Sequence, residues 1–269
     1  MCLIIFSWNP ANVRPLILGA NRDEFHQRPS QDAHYWPDAP HTFAGRDLKM
    51  MGTWLGLAKG PEKPRFRLAA LTNVRQANTA NYGHSRGELT RLFLESDQSA
   101  QDYCQAIEFE RYAGFNGLFY DGDSLVYVHH SAKQAAEIQG LAPGNYALSN
   151  ARLDTPWPKV QQSRLALDKI TPDQSIEQTS DILFHQLGNT QIASDETLPD
   201  TGVGLALERM LSAAFIISPE YGTRTSTTVI IEEQGEGALS TKNGQSAFFI
   251  EHQFLADGSK NRSLFETLI

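Results

Sequence analysis

The chain has 269 residues, 41% hydrophobic and 20% charged, with a formal net charge of -8. That is an ordinary globular composition, long enough to bury a sizeable core, and without any basic run it argues against a nucleic-acid partner. Its two cysteines, Cys2 and Cys104, lie far apart and outside any CxxC pattern, which excludes a disulfide framework or a thiolate zinc site and fits a reducing compartment.

The opening "CLIIFSW" reads as a strand, the Pro- and Asn-rich "NPANVRP" as a hairpin connection, and "LILGA" as its partner. The apolar start is too short for a signal peptide or a membrane span, so a soluble cytoplasmic protein without membrane insertion is expected. "TWLGLA" and "RLAALTN" make a second pair of β-like runs. In "SRGELTRLFLES", Ser85 and Glu88 have capping-box spacing at the head of a helix. The next helical stretch, "SAQDYCQAIEFE", places Cys104 with Tyr103, Ala106 and Ile107 in the core. "FNGLFYDGDSLVYVHH" is a hairpin about "DGDS". "NYALSN" is a short strand, and in "DTPWPKV" Thr155 is positioned to cap a helix whose first residue is Pro156. "QSIEQTSDILFHQLGN" is helical up to Gly188-Asn189, and "GLALERMLSAAF" puts Leu207, Met210, Leu211 and Ala214 on one helix face. "RTSTTVIIEE" and "QSAFFIEHQF" return the chain to β structure. Hairpin connections with helices in consecutive pairs predict an α+β protein, a four-layer αββα sandwich of two antiparallel sheets. No repeat or low-complexity linker divides the chain, so one domain, 1–269, is expected.

No HExxH, GxxxxGK[ST] or GxSxG pattern occurs, and the eight histidines show no metal-ligand spacing. His129 and His130 are adjacent on a predicted strand and point to opposite faces. No metal or required cofactor is expected. The densest polar cluster beside an apolar strand is Asn21, Arg22, Asp23 and Glu24, where the sheet is expected to end. It reads either as a turn with a salt bridge or as a site. "LTNVR" and "LSN" favour a site, because each ends an apolar strand with an Asn, Asn73 and Asn150, whose amide can donate to a developing oxyanion. Cys2 has two readings as well. It is a buried small hydrophobe, or, with Met1 clipped off, a nucleophile carrying its own amine base.

"MCLI", "NRDEFHQRP", "AGRDLKMMGTWLG", "LTNVR", "SRGEL", "LSNARLDTPWPKV" and "YGTRTSTTV" together make the chain resemble the NRDE family, also called the second transport and Golgi organisation family. That family is in turn similar to choloylglycine hydrolases and penicillin V acylases, N-terminal nucleophile hydrolases of αββα fold. The resemblance implies Cys2 as nucleophile, Asp23 as the carboxylate that holds it, Asn73 and Asn150 on the oxyanion side, and Arg209 as a further site residue. One position departs: Ala20 stands where those hydrolases place an active-site Arg. The family resemblance also implies handling of haem, as cargo, and binding of acyl-CoA. Both pair an apolar body with anionic groups, which Arg22, Arg75 and Arg224 at the rim of an inter-sheet cleft, with Asn21 and Glu24, would hold. The two expectations are therefore a carrier of an amphipathic anionic small molecule, haem first and acyl-CoA second, or a Cys2-dependent amide or thioester hydrolase or acyltransferase.

Overall fold

A computed structural model describes residues 2–59, 65–75, 82–132, 134–234 and 244–269. Met1, and with it the question of its removal, lies outside the described residues. The chain opens with β1 (Cys2–Trp8), β2 (Leu16–Phe25), β3 (Ser30–Trp36), β4 (Ala39–Asp47), β5 (Leu55–Ala58) and β6 (Arg67–Asn73). Helices α1 (Arg86–Glu95) and α2 (Ala100–Gln105) follow, then β7 (Phe115–Tyr120), β8 (Leu125–Ser131), β9 (Gln134–Gly140) and β10 (Gly144–Leu148). Helices α3 (Pro158–Leu167), α4 (Ile176–Leu187) and α5 (Leu205–Ser212) lead into β11 (Tyr221–Glu233), β12 (Gln245–Phe254) and β13 (Lys260–Leu268).

The strands form two antiparallel sheets, a six-stranded one in the order β10-β1-β2-β11-β12-β13 and a seven-stranded one in the order β3 to β9. Period-two alternation explains how they stack. Ile4, Phe6, Leu18 and Ala20 of the first sheet meet Leu55, Leu57, Leu68 and Leu118 of the second in one buried layer. Their alternate neighbours Leu3, Ile5 and Ile17 face outward onto Val160 and Leu167 of α3 and Leu183 and Leu187 of α4. On the far side, Ala69, Phe119 and Val128 pack under Leu89 and Phe93 of α1 and Tyr103 and Cys104 of α2. The result is the expected αββα sandwich.

Several local expectations change. The strand that begins at "LILGA" runs on to Phe25, so Asn21 to Glu24 are strand residues and not a turn. Ser85 starts α1 without a side-chain cap: the Glu88 N–H donates to the Ser85 carbonyl at 3.0 Å, and the Glu88 carboxylate meets His84 Nδ1 at 2.8 Å. Helix α3 begins at Pro158 with Trp157 as its cap, two residues later than expected; the Thr155 hydroxyl donates to the Arg152 carbonyl. On α5 the buried residues include Glu208 and Leu211, whereas Leu207 is exposed. Strands β3, β4, β9 and β13 carry no strong alternation and escape a sequence reading. His129 and His130 do diverge: the ring of His129 meets Asn116 Oδ1 and that of His130 the Tyr112 carbonyl.

One close approach seats α1 against the sheets. The turn after β4 passes so near the start of the helix that a Cβ on Gly52 would lie 2.5 Å from the Gly87 carbonyl carbon and oxygen. Those atoms are backbone and cannot swing away. Thr53 N–H donates to the Gly87 carbonyl at 3.2 Å across the same contact. Gly52→Ala is expected to lose about 1–3 kcal/mol by overpacking, read from urea unfolding. Gly83→Ala, where a Cβ meets nothing within 4 Å, should differ little from the parent.

Candidate functional site

Strand register assembles the site. Cys2 pairs with Arg22, Arg22 with Thr225, and Thr225 with Gln253. Four strands thus present a thiol, a guanidinium, a hydroxyl and a carboxamide in one cross-strand row on the inter-sheet face. All four line a cleft of about 410 Å3 between the ends of the sheets. Asp23 alternates to the other face of β2, buried, where its Oδ1 accepts from the Thr223 hydroxyl at 2.7 Å. That contact depends on a bulge: Thr223 faces Asp23 and Thr225 faces Arg22, leaving Arg224 as the extra residue. The displaced Arg224 crosses to donate to the Arg28 carbonyl at 2.5 Å. The Tyr221 hydroxyl donates to the Asp23 carbonyl at 3.0 Å.

The thiol is nearly enclosed, and burial pushes Cys2 up from the usual range, with the Asp23 carboxylate adding to the rise. The Asp23 backbone N–H donates to the sulfur and opposes it. Burial likewise raises Asp23, against the pull of Lys159, Thr223 and Arg22. Lys159, from the first turn of α3, is the buried counter-charge: its ammonium donates to the Leu211 carbonyl at 2.8 Å, and desolvation brings it down to about 8.

The strand-end asparagines differ in what they do. Asn150 Nδ2 donates to the Asn73 carbonyl at 2.8 Å, and Arg75 N–H donates to the Asn150 carbonyl at 2.7 Å. Ser149 Oγ donates to the Cys2 carbonyl at 3.0 Å. These bonds sew the end of β6 in one sheet to β10 and β1 in the other. Asn150 is buried and lines neither cavity, while the Asn73 side chain faces both the cleft and the groove described next.

The other expected residues divide. Glu24 and Arg22 stand together at the cleft, 3.8 Å apart. Asn21 is fully buried on the helix side, donating to the Leu187 and Ala214 carbonyls at 2.8 Å each, so it anchors the helical layer. Arg75 is bound to Glu208 of α5 at 2.5 Å and stacks over Trp157. Arg209 is not at the site: it is exposed and pairs with Asp195 at 2.5 Å. Ala20, the position of the family's departure, is packed in the inter-sheet core one step behind Arg22 on the same strand face.

Five arginines and five acidic residues line the cleft, but their charges do not cancel locally. Arg28 is held by Asp47 and Arg46 by Asp38. Among the described residues Arg86 and Arg224 have no carboxylate within 4 Å; they donate to the Gly114 and Arg28 carbonyls. Arg22 has only the distant Glu24. Three guanidinium groups therefore face one cleft with spare donors. Next to the cleft lies a second, more apolar groove of about 560 Å3 walled by Phe25, Val74, Leu207, Met210 and Tyr221. Glu24, Asn73 and Arg86 belong to both.

Sequence reasoning missed Arg86, Lys159, Thr223 and Glu251. Arg86 stands in "SRGEL", where a charged residue opening a helix reads as solvated. Lys159 follows two prolines with nothing to distinguish it from a surface lysine. Glu251 did carry a signal, since it falls in phase with the core residues Ala247 and Phe249 of β12. No group of three or more His, Cys, Asp or Glu among the described residues is arranged to hold a metal ion.

The lowered Lys159 has a consequence for stability. Below pH 8 the amine is charged in both folded and unfolded chains, and the folded state bears the whole desolvation penalty. Between about 8 and the unfolded value near 10.4, the unfolded chain holds more protons, so stability rises by up to roughly 1.4 kcal/mol per pH unit. Lys159→Met should remove that rise. Urea unfolding of both proteins at pH 7, 8, 9 and 10 measures the difference in slope.

Residues 1–245 match the family described as Transport and Golgi organisation 2. The chain is 35% identical over 265 residues to the Transport and Golgi organization protein 2 homolog of Bos taurus, covering 90% of this chain and 93% of that one. The Homo sapiens homolog is 34% identical with the same coverage. The Drosophila melanogaster Transport and Golgi organization protein 2 is 25% identical over 260 residues, covering 88% of this chain and 89% of its own. No helix among the described residues is long and apolar enough to cross a membrane. By its sequence over nearly its whole length, the chain belongs to the Transport and Golgi organisation 2 family.

Proposed function

We propose that this chain, working as one cytoplasmic domain, binds and carries an amphipathic anionic small molecule in the adjoining cleft and groove. The observation that carries this reading is that a charged cleft and an apolar groove lie side by side and share Glu24, Asn73 and Arg86 in their walls. Arg22, Arg86 and Arg224 suit carboxylate or phosphate, since guanidinium groups bind both through paired donors. Val74, Leu207 and Met210 suit an apolar body. Haem and acyl-CoA both have this division. No histidine lines either cavity, so the side chains suited to meet a haem iron are Cys2, Tyr221 and Met210. For acyl-CoA the phosphates would lie among the arginines and the chain along the groove. Titration with haem, followed at the Soret band, and with palmitoyl-CoA, followed by calorimetry, tests the reading. Saturable binding of one of them is expected, weakened about tenfold or more in each of Arg22→Ala and Arg224→Ala by loss of a charged hydrogen bond. Saturable binding of neither ligand overturns it.

A second reading is favoured by the Cys2 thiol lining the cleft with Asp23 N–H on its sulfur. In it Cys2 sulfur attacks an amide or thioester carbonyl, the thiol proton passing to the freed α-amine and on to the leaving amine or thiol. Water then releases the acyl group from sulfur. Intact mass of the purified protein should then show loss of Met1, and Cys2→Ala should abolish turnover. Asp23→Asn, which keeps the shape of a buried side chain, should melt within a few degrees of the parent yet lose function. Full retention of Met1 in active protein rules this chemistry out.

A further inference from the structure

The far end of the cleft holds polar groups that neither reading uses. Glu251 lies on β12, one pleat deeper than the row of Cys2, Arg22, Thr225 and Gln253, and its side chain is directed between the sheets beside Ala33 and Thr227. Its carboxyl is almost wholly buried and lines the cleft. Its three hydrogen bonds are all long: Ala33 N–H at 3.4 Å, Gln253 Nε2 at 3.4 Å and the Thr227 hydroxyl at 3.3 Å. No cation stands within 4 Å among the described residues, because the nearby Asp32 takes Arg262. Beside it, Thr225 Oγ1 is buried without a hydrogen-bond partner among the described residues, although Thr225 lines the same cleft. A buried carboxyl with marginal bonds next to an orphaned hydroxyl is a destabilising arrangement, and a ligand's polar group would relieve both.

We infer that Glu251, Thr225 and Gln253 form a second subsite that hydrogen-bonds an uncharged hydroxyl- or amide-bearing part of the ligand. The inference rests on the carrier reading for the ligand's other end and adds what its middle must offer. Three strand spacings separate β1 from β12, so this subsite lies about 14 Å from the Cys2 column. Thr225 stands directly across from Arg22, so it is a ligand spanning from Cys2 to Glu251 that must be elongated. Burial, with Asp32 adding to it, raises Glu251 above the usual carboxylate range. The acid form is thereby favoured, which supplies one O–H donor and one acceptor and suits a neutral polar partner better than a cation. A porphyrin offers no such hydroxyl or amide; an acyl-CoA does.

The subsite can be probed apart from the rest of the ligand with panthenol, a neutral amide bearing hydroxyl groups, by ligand-observed NMR. Saturable binding is expected for the parent protein and for Glu251→Gln, which mimics the acid form. Affinity should fall about tenfold or more in Glu251→Leu and in Thr225→Val, with unfolding midpoints showing that both are folded. No saturable binding of panthenol to the parent, or equal binding by the folded Glu251→Leu and Thr225→Val proteins, overturns the inference. Panthenol binding that survives while haem and palmitoyl-CoA both fail overturns the carrier reading alone.

Discussion

The pairing register of β1, β2, β11 and β12 is the constraint on which everything else rests. Because side chains alternate along each strand, one choice of register decides at once which residues enter the core, the helical layer and the cleft. Cys2 opposite Arg22 and Arg22 opposite Thr225 fix the row at the mouth. The next row inward, Ile4, Ala20, Thr227 and Glu251, follows with no further freedom. A slip of one residue would turn the Asp23 side chain to the inter-sheet face and that of Arg22 to the layer beneath α3 and α4. The bulge at Arg224 is the one relaxation of that rule. It lets Thr223 reach Asp23 while Thr225 still faces inward.

Desolvation explains why a chain of net charge -8 has a cationic cleft. Its excess acids are mostly on the surface, in high dielectric. Of those lining the cleft, burial pushes Asp23 and Glu251 toward their neutral forms, while Arg28 holds Asp47 below the usual range against its own burial. Guanidinium groups do not yield their protons under the same burial. A site with similar numbers of buried acids and arginines therefore presents positive charge. The ion pairs that do form have structural duties: Arg75 with Glu208 ties the end of β6 to α5, and Arg28 with Asp47 ties β4 to the end of β2. What remains for a ligand is Arg22, Arg86 and Arg224.

The layer architecture was legible in the sequence because hairpins and paired helices leave strong periodic marks. Family motifs pointed to Cys2, Asp23 and Asn73, which the fold does gather around one cleft. Arg209 failed because an arginine in a short amphipathic helix has no local feature that separates an inward from an outward side chain; here Asp195 holds it outside. Asn21 lies away from the cleft for the opposite reason. It sits in phase with Leu3 and Ile17 on the helical face, and a polar residue there reads as functional until its carbonyl partners at Leu187 and Ala214 are seen. Lys159 and Arg86 were invisible, since their burial depends on contacts between layers and not on neighbours in the chain.

The placing of Ala20 and Arg22 follows from the same alternation. Residues 20 and 22 share the inter-sheet face of β2, one pleat apart. Small Ala20 lets the two sheets close over the inner row, and Arg22 brings its guanidinium to the mouth, directly across from Cys2. Placed there, with Arg86 and Arg224 nearby, it faces the space a ligand's anionic group would fill. Burial and the Asp23 carboxylate both disfavour the thiolate that a nucleophile needs, and the Arg22 charge only partly opposes them. The cleft is thus better arranged to hold an anionic group than to ionise Cys2, which is the physical ground for proposing carriage ahead of hydrolysis.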